Sequence, residues 1–104
     1  MSTLVNITGL AIIADDEDTG RVLLEEAAAA AGLRALSFAD GKEALEAALA
    51  NDVALVLLDV DMPGLNGHEV CRRLRATPRF AATPIVMVTG HEDTDAVTLA
   101  FVAG

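Results

Sequence analysis

Residues 10–14 read LAIIA, a continuous apolar run that stops at Asp15 and Asp16. A strand buried on both faces has this composition, because helices cover both sides of a parallel sheet. The pattern returns in residues 53–58, an apolar run that ends at Asp59. The two runs therefore predict two buried strands, each followed directly by carboxylate side chains.

Helical periodicity fills the segments between these runs. An apolar stripe with a 3.6-residue period is made of Leu23, Leu24, Ala27, Ala28 and Ala31. Gly32 follows it, where a helix C-terminus favours positive φ. Asp40 and Glu43 have the spacing of a capping box ahead of a second helix. The remaining predicted elements are a strand at 35–38, a helix at 67–76, a strand at 85–88 ending at Thr89, and a weaker helix at 93–103.

Strands and helices thus alternate along the whole chain, with short connections. Such alternation implies right-handed crossovers and a parallel sheet that is covered on both faces. We therefore predict one α/β domain over residues 1–104, built as a doubly wound parallel sheet.

Composition narrows the class of protein. The chain has 104 residues, 53% of them hydrophobic, with 16 acidic and 7 basic side chains and a net charge of −9. High hydrophobicity excludes a disordered chain, and the negative charge predicts that this segment does not bind nucleic acid. The single cysteine permits no internal disulfide. No run approaches the roughly 20 apolar residues of a membrane span and no signal peptide is evident, so we predict a cytoplasmic domain without a membrane partner.

Oxygen-bearing side chains stand at the ends of three predicted strands: Asp15, Asp16, Asp59 and Thr89. In open α/β sheets, ligands bind beyond the carboxyl ends of the strands. Carboxylates brought within about 4 Å would repel by roughly 4 kcal/mol per pair at an effective dielectric of 20, so a cation should neutralise them. Hard oxygen ligands favour Mg²⁺. A carboxylate beside Mg²⁺ can act as a nucleophile towards phosphorus.

In these features the chain resembles the receiver domain of two-component response regulators. The matching stretches are residues 12–17, residues 56–64 with Asn66 and Gly67, and residues 84–90. The resemblance implies the flavodoxin-like strand order 2-1-3-4. The family's fifth strand and fifth helix are expected to be absent.

The resemblance also assigns roles to the polar side chains. Asp59 is implied to be the phosphoacceptor and a ligand of Mg²⁺. Asp16 would bind Mg²⁺ directly, and Asp15 would do so through water or as a second acidic ligand. Asp61 would offer its backbone carbonyl to the metal, and Thr89 would be the switch hydroxyl. His91 would lie at a position that tunes hydrolysis of the aspartyl phosphate in the family. The alternative is that His91 is an exposed loop residue without such a role.

Partners follow from the same resemblance. A histidine kinase or phosphotransfer protein would donate the phosphoryl group, and an output domain would lie in the longer chain. The only lysine is Lys42, on the predicted second helix, so we expect slow phosphorylation without the family's lysine. The apolar strand at 85–88 would form an exposed sheet edge, which predicts a homodimer.

Two alternatives stay open. The first is a receiver that is not phosphorylated and serves as an interaction or dimerisation module. The second is a haloacid-dehalogenase-like phosphatase, because Asp59-Val60-Asp61 resembles the nucleophile and acid of that class. The lysine and acidic pair that such an enzyme carries downstream do not follow here, so the leading interpretation is a signalling phosphoacceptor and not an enzyme.

Overall fold

The computed structural model of the chain describes residues 9–89, except for the side chain of Thr89, and the backbone of residues 99–102. The strands are β1 (Gly9–Ala14), β2 (Leu33–Phe38), β3 (Leu55–Asp59), β4 (Ile85–Thr89) and β5 (Leu99–Val102). The helices are α1 (Asp18–Ala30), α2 (Gly41–Leu49) and α3 (Gly67–Arg75), followed by a short 3-10 helix at Pro78–Phe80.

The sheet has the order β2-β1-β3-β4-β5, and β2, β1, β3 and β4 run parallel. The predicted order 2-1-3-4 and the α/β class are therefore confirmed. β1 and β3 lie in the middle of the sheet, which explains why both are continuous apolar runs in the sequence.

Alternate residues of the central strands enter two hydrophobic layers. The larger layer joins Ile12, Val56 and Leu58 to α2, α3 and Phe80. On the other face, Ala11, Ile13 and Leu57 pack with Ala28 of α1. No helix within residues 9–89 is long and apolar enough to cross a bilayer.

Helix α1 packs more lightly than its apolar stripe predicts. Of that stripe, Ala28 is buried and Leu24 is half-buried against the smaller layer. Leu23 is 57% exposed, and Ala27 and Ala31 are also exposed. An apolar stripe predicts a helix face that packs on the sheet, and this expectation holds only for Ala28 and Leu24, because within the described part of the chain this helix meets only β1 and β2 closely.

The far edge of the sheet also differs from expectation. Residues 99–102 form β5, which pairs antiparallel with β4 in the register Met87 to Phe101, so the sheet has a fifth strand where none was expected. The prediction of a helix at 93–103 is therefore wrong for these four residues; residues 90–98 lie outside the described part. Pairing with β5 satisfies backbone groups that β4 would otherwise expose. The prediction of an open sheet edge at 85–88 is therefore wrong. The homodimer predicted from that edge is no longer supported.

Helix termini are satisfied largely as the sequence indicates. Oδ1 of Asp40 accepts a hydrogen bond from the backbone N–H of Glu43 at 2.8 Å, which confirms the predicted cap of α2. Asn66 caps α3 in the same way, through the N–H of Glu69 at 2.9 Å. Gly32 has a φ of 85°, as its position after α1 predicts.

The C-terminus of α2 is held by an arginine from a distant part of the chain. Arg79 donates to the carbonyls of Leu49 at 2.6 Å, Asn51 at 3.0 Å and Ala48 at 3.3 Å. Its guanidinium also lies 4.5 Å from the centre of the Phe80 ring. The last carbonyls of a helix have no partner within the helix. The guanidinium of Arg79 binds them and so connects α2 to the segment before β4.

We predict that Arg79→Ala lowers the free energy of unfolding by about 1–2 kcal/mol, because three carbonyls lose a charged donor. Arg79→Lys should recover only a small part, since an ammonium cannot reach all three. The measurement is urea unfolding at neutral pH. Arg34→Ala, at an exposed position of β2, is the control. Equal stabilities for Arg79→Ala and Arg34→Ala would contradict the role of Arg79.

Candidate metal centre at the carboxyl edge of the sheet

Three carboxylates meet where β1 and β3 end. Ala14, the last residue of β1, pairs with Leu58 in the register of the two parallel strands. Asp15 and Asp59 therefore come next on adjacent strands and reach the same edge of the sheet. One carboxylate oxygen from each of Asp15, Asp16 and Asp59 lies within 4.8 Å of the other two.

Asp15 is the buried member of this cluster. It is 8% exposed and is the only buried charged residue among residues 9–88. Its Oδ1 accepts a hydrogen bond from the backbone N–H of Glu17 at 2.9 Å. Its own amide donates to the carbonyl of Phe38 at 3.1 Å. Both the backbone and the carboxylate of Asp15 are therefore held in place.

Asp59 ends β3 and is half-buried. Burial, and then the charge of Asp15, raise the pKa of Asp59 to about 6. The backbone N–H of Asp61 donates to Oδ1 of Asp59 at 3.2 Å and acts in the opposite direction. Asp59 is thus mostly ionised at neutral pH but more basic than an ordinary aspartate.

Burial and neighbouring carboxylates dominate the electrostatics of the cluster. Burial raises the pKa of Asp15 as well, opposed by the hydrogen bond from Glu17 and reinforced by the charge of Asp16. Carboxylate oxygens in this number are the ligands that a hard divalent cation prefers, so the residues present fit Mg²⁺.

The other predicted site residues are placed as follows. Asp61 is exposed, and its backbone N–H donates a hydrogen bond to Asp59. The predicted role of its backbone carbonyl as a metal ligand stays a prediction. Thr89 ends β4, one residue beyond Val88, the register partner of Asp59. The side chain of Thr89 and all of His91 lie outside the described residues. Lys42 lies on α2, where it lines a groove with Leu65 rather than the acidic cluster.

Sequence reasoning missed the neighbours that hold Asp15. Arg21 of α1 donates from Nη1 to the backbone carbonyl of Asp15 at 2.9 Å and pairs with Asp18 through Nη2. A signal for this existed, because Asp18 and Arg21 have the i,i+3 spacing of helical ion pairs. The close contact of Gly67, the first residue of α3, with the Asp59 backbone was also missed. A Cβ there would lie 2.3 Å from the carbonyl oxygen of Asp59, so α3 rests directly on the Asp59 backbone.

We predict that Asp59→Asn raises stability at neutral pH. The variant keeps the oxygen that accepts from Asp61 but removes the charge. Because the pKa of Asp59 is raised from 3.8 to about 6, the wild type loses stability as the pH rises through this interval. Allowing for partial exposure, the variant should gain about 1–2 kcal/mol at pH 7 and nothing below about pH 4.

Urea unfolding across this pH range measures the effect. Asp52→Asn is the matched control, since Asp52 is exposed and precedes β3 at the opposite end of the strand. A gain for Asp59→Asn that does not depend on pH, or an equal gain for Asp52→Asn, would contradict the explanation.

Comparisons with known proteins agree with this architecture. The response regulator receiver domain family matches residues 11–104. The chain is 33% identical over 96 residues to the DNA-binding transcriptional regulator NtrC of Escherichia coli K12, covering 92% of this chain and 20% of that protein. It is 40% identical over 94 residues to the transcriptional regulatory protein YrkP of Bacillus subtilis, covering 89% of this chain and 38% of that protein. The chain thus spans a fifth to about two fifths of these two relatives.

Solved structures show the same fold. The chemotaxis response regulator CheY4 of Vibrio cholerae superposes with a TM-score of 0.72 at 28% identity, covering 78% of this chain and 68% of that chain. The response regulator TrrA of Thermotoga maritima, solved in complex with Mg²⁺ and BeF, gives a TM-score of 0.65 at 29% identity, covering 76% and 65%. The chain therefore belongs to the response regulator receiver domain family.

Proposed function

We propose that this chain is a phosphoacceptor switch in which Asp59 receives a phosphoryl group from a histidine kinase or a phosphotransfer protein. The observation that carries the proposal is the meeting of Asp15, Asp16 and Asp59 within 4.8 Å of one another at the carboxyl edge of the sheet. Family membership supports it, because phosphoacceptance is general in receiver domains.

Asp59 is the proposed nucleophile. Its pKa of about 6 leaves it ionised at neutral pH while making the carboxylate more basic, which favours attack on phosphorus. The Asp61 N–H holds Oδ1, so we assign attack to Oδ2. A bond forms between this oxygen and phosphorus as the bond from phosphorus to the donor's histidine nitrogen breaks. The product is an aspartyl phosphate.

The residues proposed to hold Mg²⁺ are Asp15, Asp16 and Asp59, with the backbone carbonyl of Asp61 as a further ligand. When bound, Mg²⁺ supplies positive charge to the carboxylates and to the phosphoryl oxygens. The Glu17 N–H keeps Asp15 oriented towards the cluster. The hydroxyl of Thr89 is proposed to bind a phosphoryl oxygen from β4, the neighbouring strand.

Phosphorylation would act as a local change of charge and hydrogen bonding that biases a surface between two states. The relatives are longer transcriptional regulators, so we propose that an output domain in the longer protein, in the cytoplasm, responds to this change.

The alternative is a receiver that binds partners without being phosphorylated. The phosphatase alternative has no support, because the family match covers most of the chain.

Phosphorylation by a small-molecule phosphodonor tests the proposal. We expect one phosphoryl group per chain on the wild type in the presence of Mg²⁺, measured by intact mass, and none on Asp59→Asn. Asp52→Asn should behave as the wild type. Incorporation that persists in Asp59→Asn would place the phosphoacceptor elsewhere. No incorporation into the wild type, despite binding of a kinase, would favour the interaction module.

Mg²⁺ should also stabilise the fold. A ligand that binds only the native state adds about 2.7 kcal/mol at 100 times its dissociation constant. We therefore expect the thermal midpoint of the wild type to rise with Mg²⁺ at pH 7 and much less at about pH 4, where Asp59 binds a proton instead. Asp16→Ala should reduce the rise, and Asp52→Ala should not. A rise that is equal in all three proteins would indicate nonspecific screening.

A further inference from the structure

Gly20 occupies an unusual place in α1. It is the third residue of the helix, where a glycine costs stability because it lacks helix propensity. A Cβ at this position would lie 2.1 Å from Oδ2 of Asp15, 2.7 Å from Cγ and 3.0 Å from Oδ1. The Asp15 carboxylate therefore lies against the backbone of α1 with Oδ2 nearest to it, in space that a side chain at position 20 would fill.

The first turn of α1 and the loop before it enclose Asp15 from several directions. The Glu17 N–H binds Oδ1 at 2.9 Å, and Arg21 binds the Asp15 carbonyl at 2.9 Å. Asp15 is 8% exposed, so protein atoms surround its carboxylate on most sides. Its orientation therefore depends on the Glu17 N–H, which binds Oδ1, and on the space that Gly20 leaves for Oδ2.

We propose that Gly20 is a positioning residue: the absence of a side chain at Gly20 sets the orientation of the Asp15 carboxylate and, through it, the affinity of the acidic cluster for Mg²⁺. The second half of this statement rests on the proposed function, and the first half does not. Gly20 itself contacts neither the metal nor the phosphoryl group.

A substitution at Gly20 is expected to leave the fold intact. The atoms that a new Cβ would meet belong to a side chain, which can rotate about its own bonds. Gly67 is the contrasting case, since a Cβ there would meet a backbone oxygen 2.3 Å away. Gly20→Ala should therefore fold, gain helix propensity and move the Asp15 carboxylate.

A retained fold with a weakened affinity makes the test specific. For Gly20→Ala without metal, we expect cooperative unfolding with a thermal midpoint close to that of the wild type, because the gain in helix propensity offsets the displacement of a buried carboxylate. We expect its dissociation constant for Mg²⁺, measured by calorimetry, to rise roughly tenfold or more, as for other residues that orient metal ligands. Thr19→Ala is the matched control, because it raises helix propensity at an exposed position of the same turn and should leave affinity unchanged.

A double-mutant cycle shows that Gly20 acts through Asp15. In the Asp15→Ala background, Gly20→Ala should cause no further loss of Mg²⁺ affinity. Equal affinities for the wild type and Gly20→Ala, or a loss that persists without the Asp15 side chain, would overturn the inference.

Crystal structures of the metal-free wild type and Gly20→Ala separate this inference from the proposed function. We expect Oδ2 of Asp15 to leave its position against α1 in the variant. An unmoved carboxylate would overturn the role of Gly20 even if Mg²⁺ binds. Failure of the wild type to bind Mg²⁺ would overturn the proposed function and the affinity half of the inference, while a displaced carboxylate would still support the positioning half.

Discussion

The burial and mutual repulsion of carboxylates at one edge of the sheet is the constraint on which the rest of this structure depends. Parallel pairing of β1 with β3 places Asp15 and Asp59 side by side, and Asp16 follows directly. The raised pKa values of Asp15 and Asp59 show that the folded chain opposes the ionisation of both groups. A protein that keeps such a cluster retains a free-energy cost that a cation or a proton relieves.

The backbone around the cluster lowers part of that cost. Amide hydrogens of Glu17 and Asp61 point at the carboxylates of Asp15 and Asp59, respectively. Both donors belong to the turns that directly follow β1 and β3, so the same loops that carry the acidic residues also supply their hydrogen bonds. Neutral dipoles of this kind orient a carboxylate without cancelling its charge, which leaves the cluster able to attract a divalent ion.

The two faces of the sheet support this edge unequally. On one face α2 and α3 close a large apolar layer, and Arg79 ties the end of α2 to the segment before β4. On the other face α1 buries Ala28 but leaves Leu23 more than half exposed. The turn that orients Asp15 therefore belongs to the more lightly packed helix. Two local contacts hold Asp15 on this face: Arg21 binds its backbone carbonyl, and Gly20 lies against its carboxylate.

Much of the fold was readable from the sequence, because its signals are local. Apolar runs that stop at aspartates predicted β1 and β3, and the spacing of Asp40 and Glu43 predicted the cap of α2. Periodicity failed for residues 99–102, where the choice of strand over helix depends on pairing with β4, a distant segment that needs backbone partners. It also overstated the burial of α1, because an apolar stripe does not show which surface is available to cover it.

By itself, the sequence determined the parallel α/β order and the acidic residues at the strand ends, since a buried strand needs a continuous apolar run and a polar residue marks its end. Only the tertiary structure decided that Asp15 is buried while Asp16 is exposed, that the amide of Asp61 contacts Asp59, and that Gly20 leaves space for a carboxylate. These properties depend on distances between side chains and backbone atoms from different elements, and one-dimensional spacing along the chain does not contain those distances.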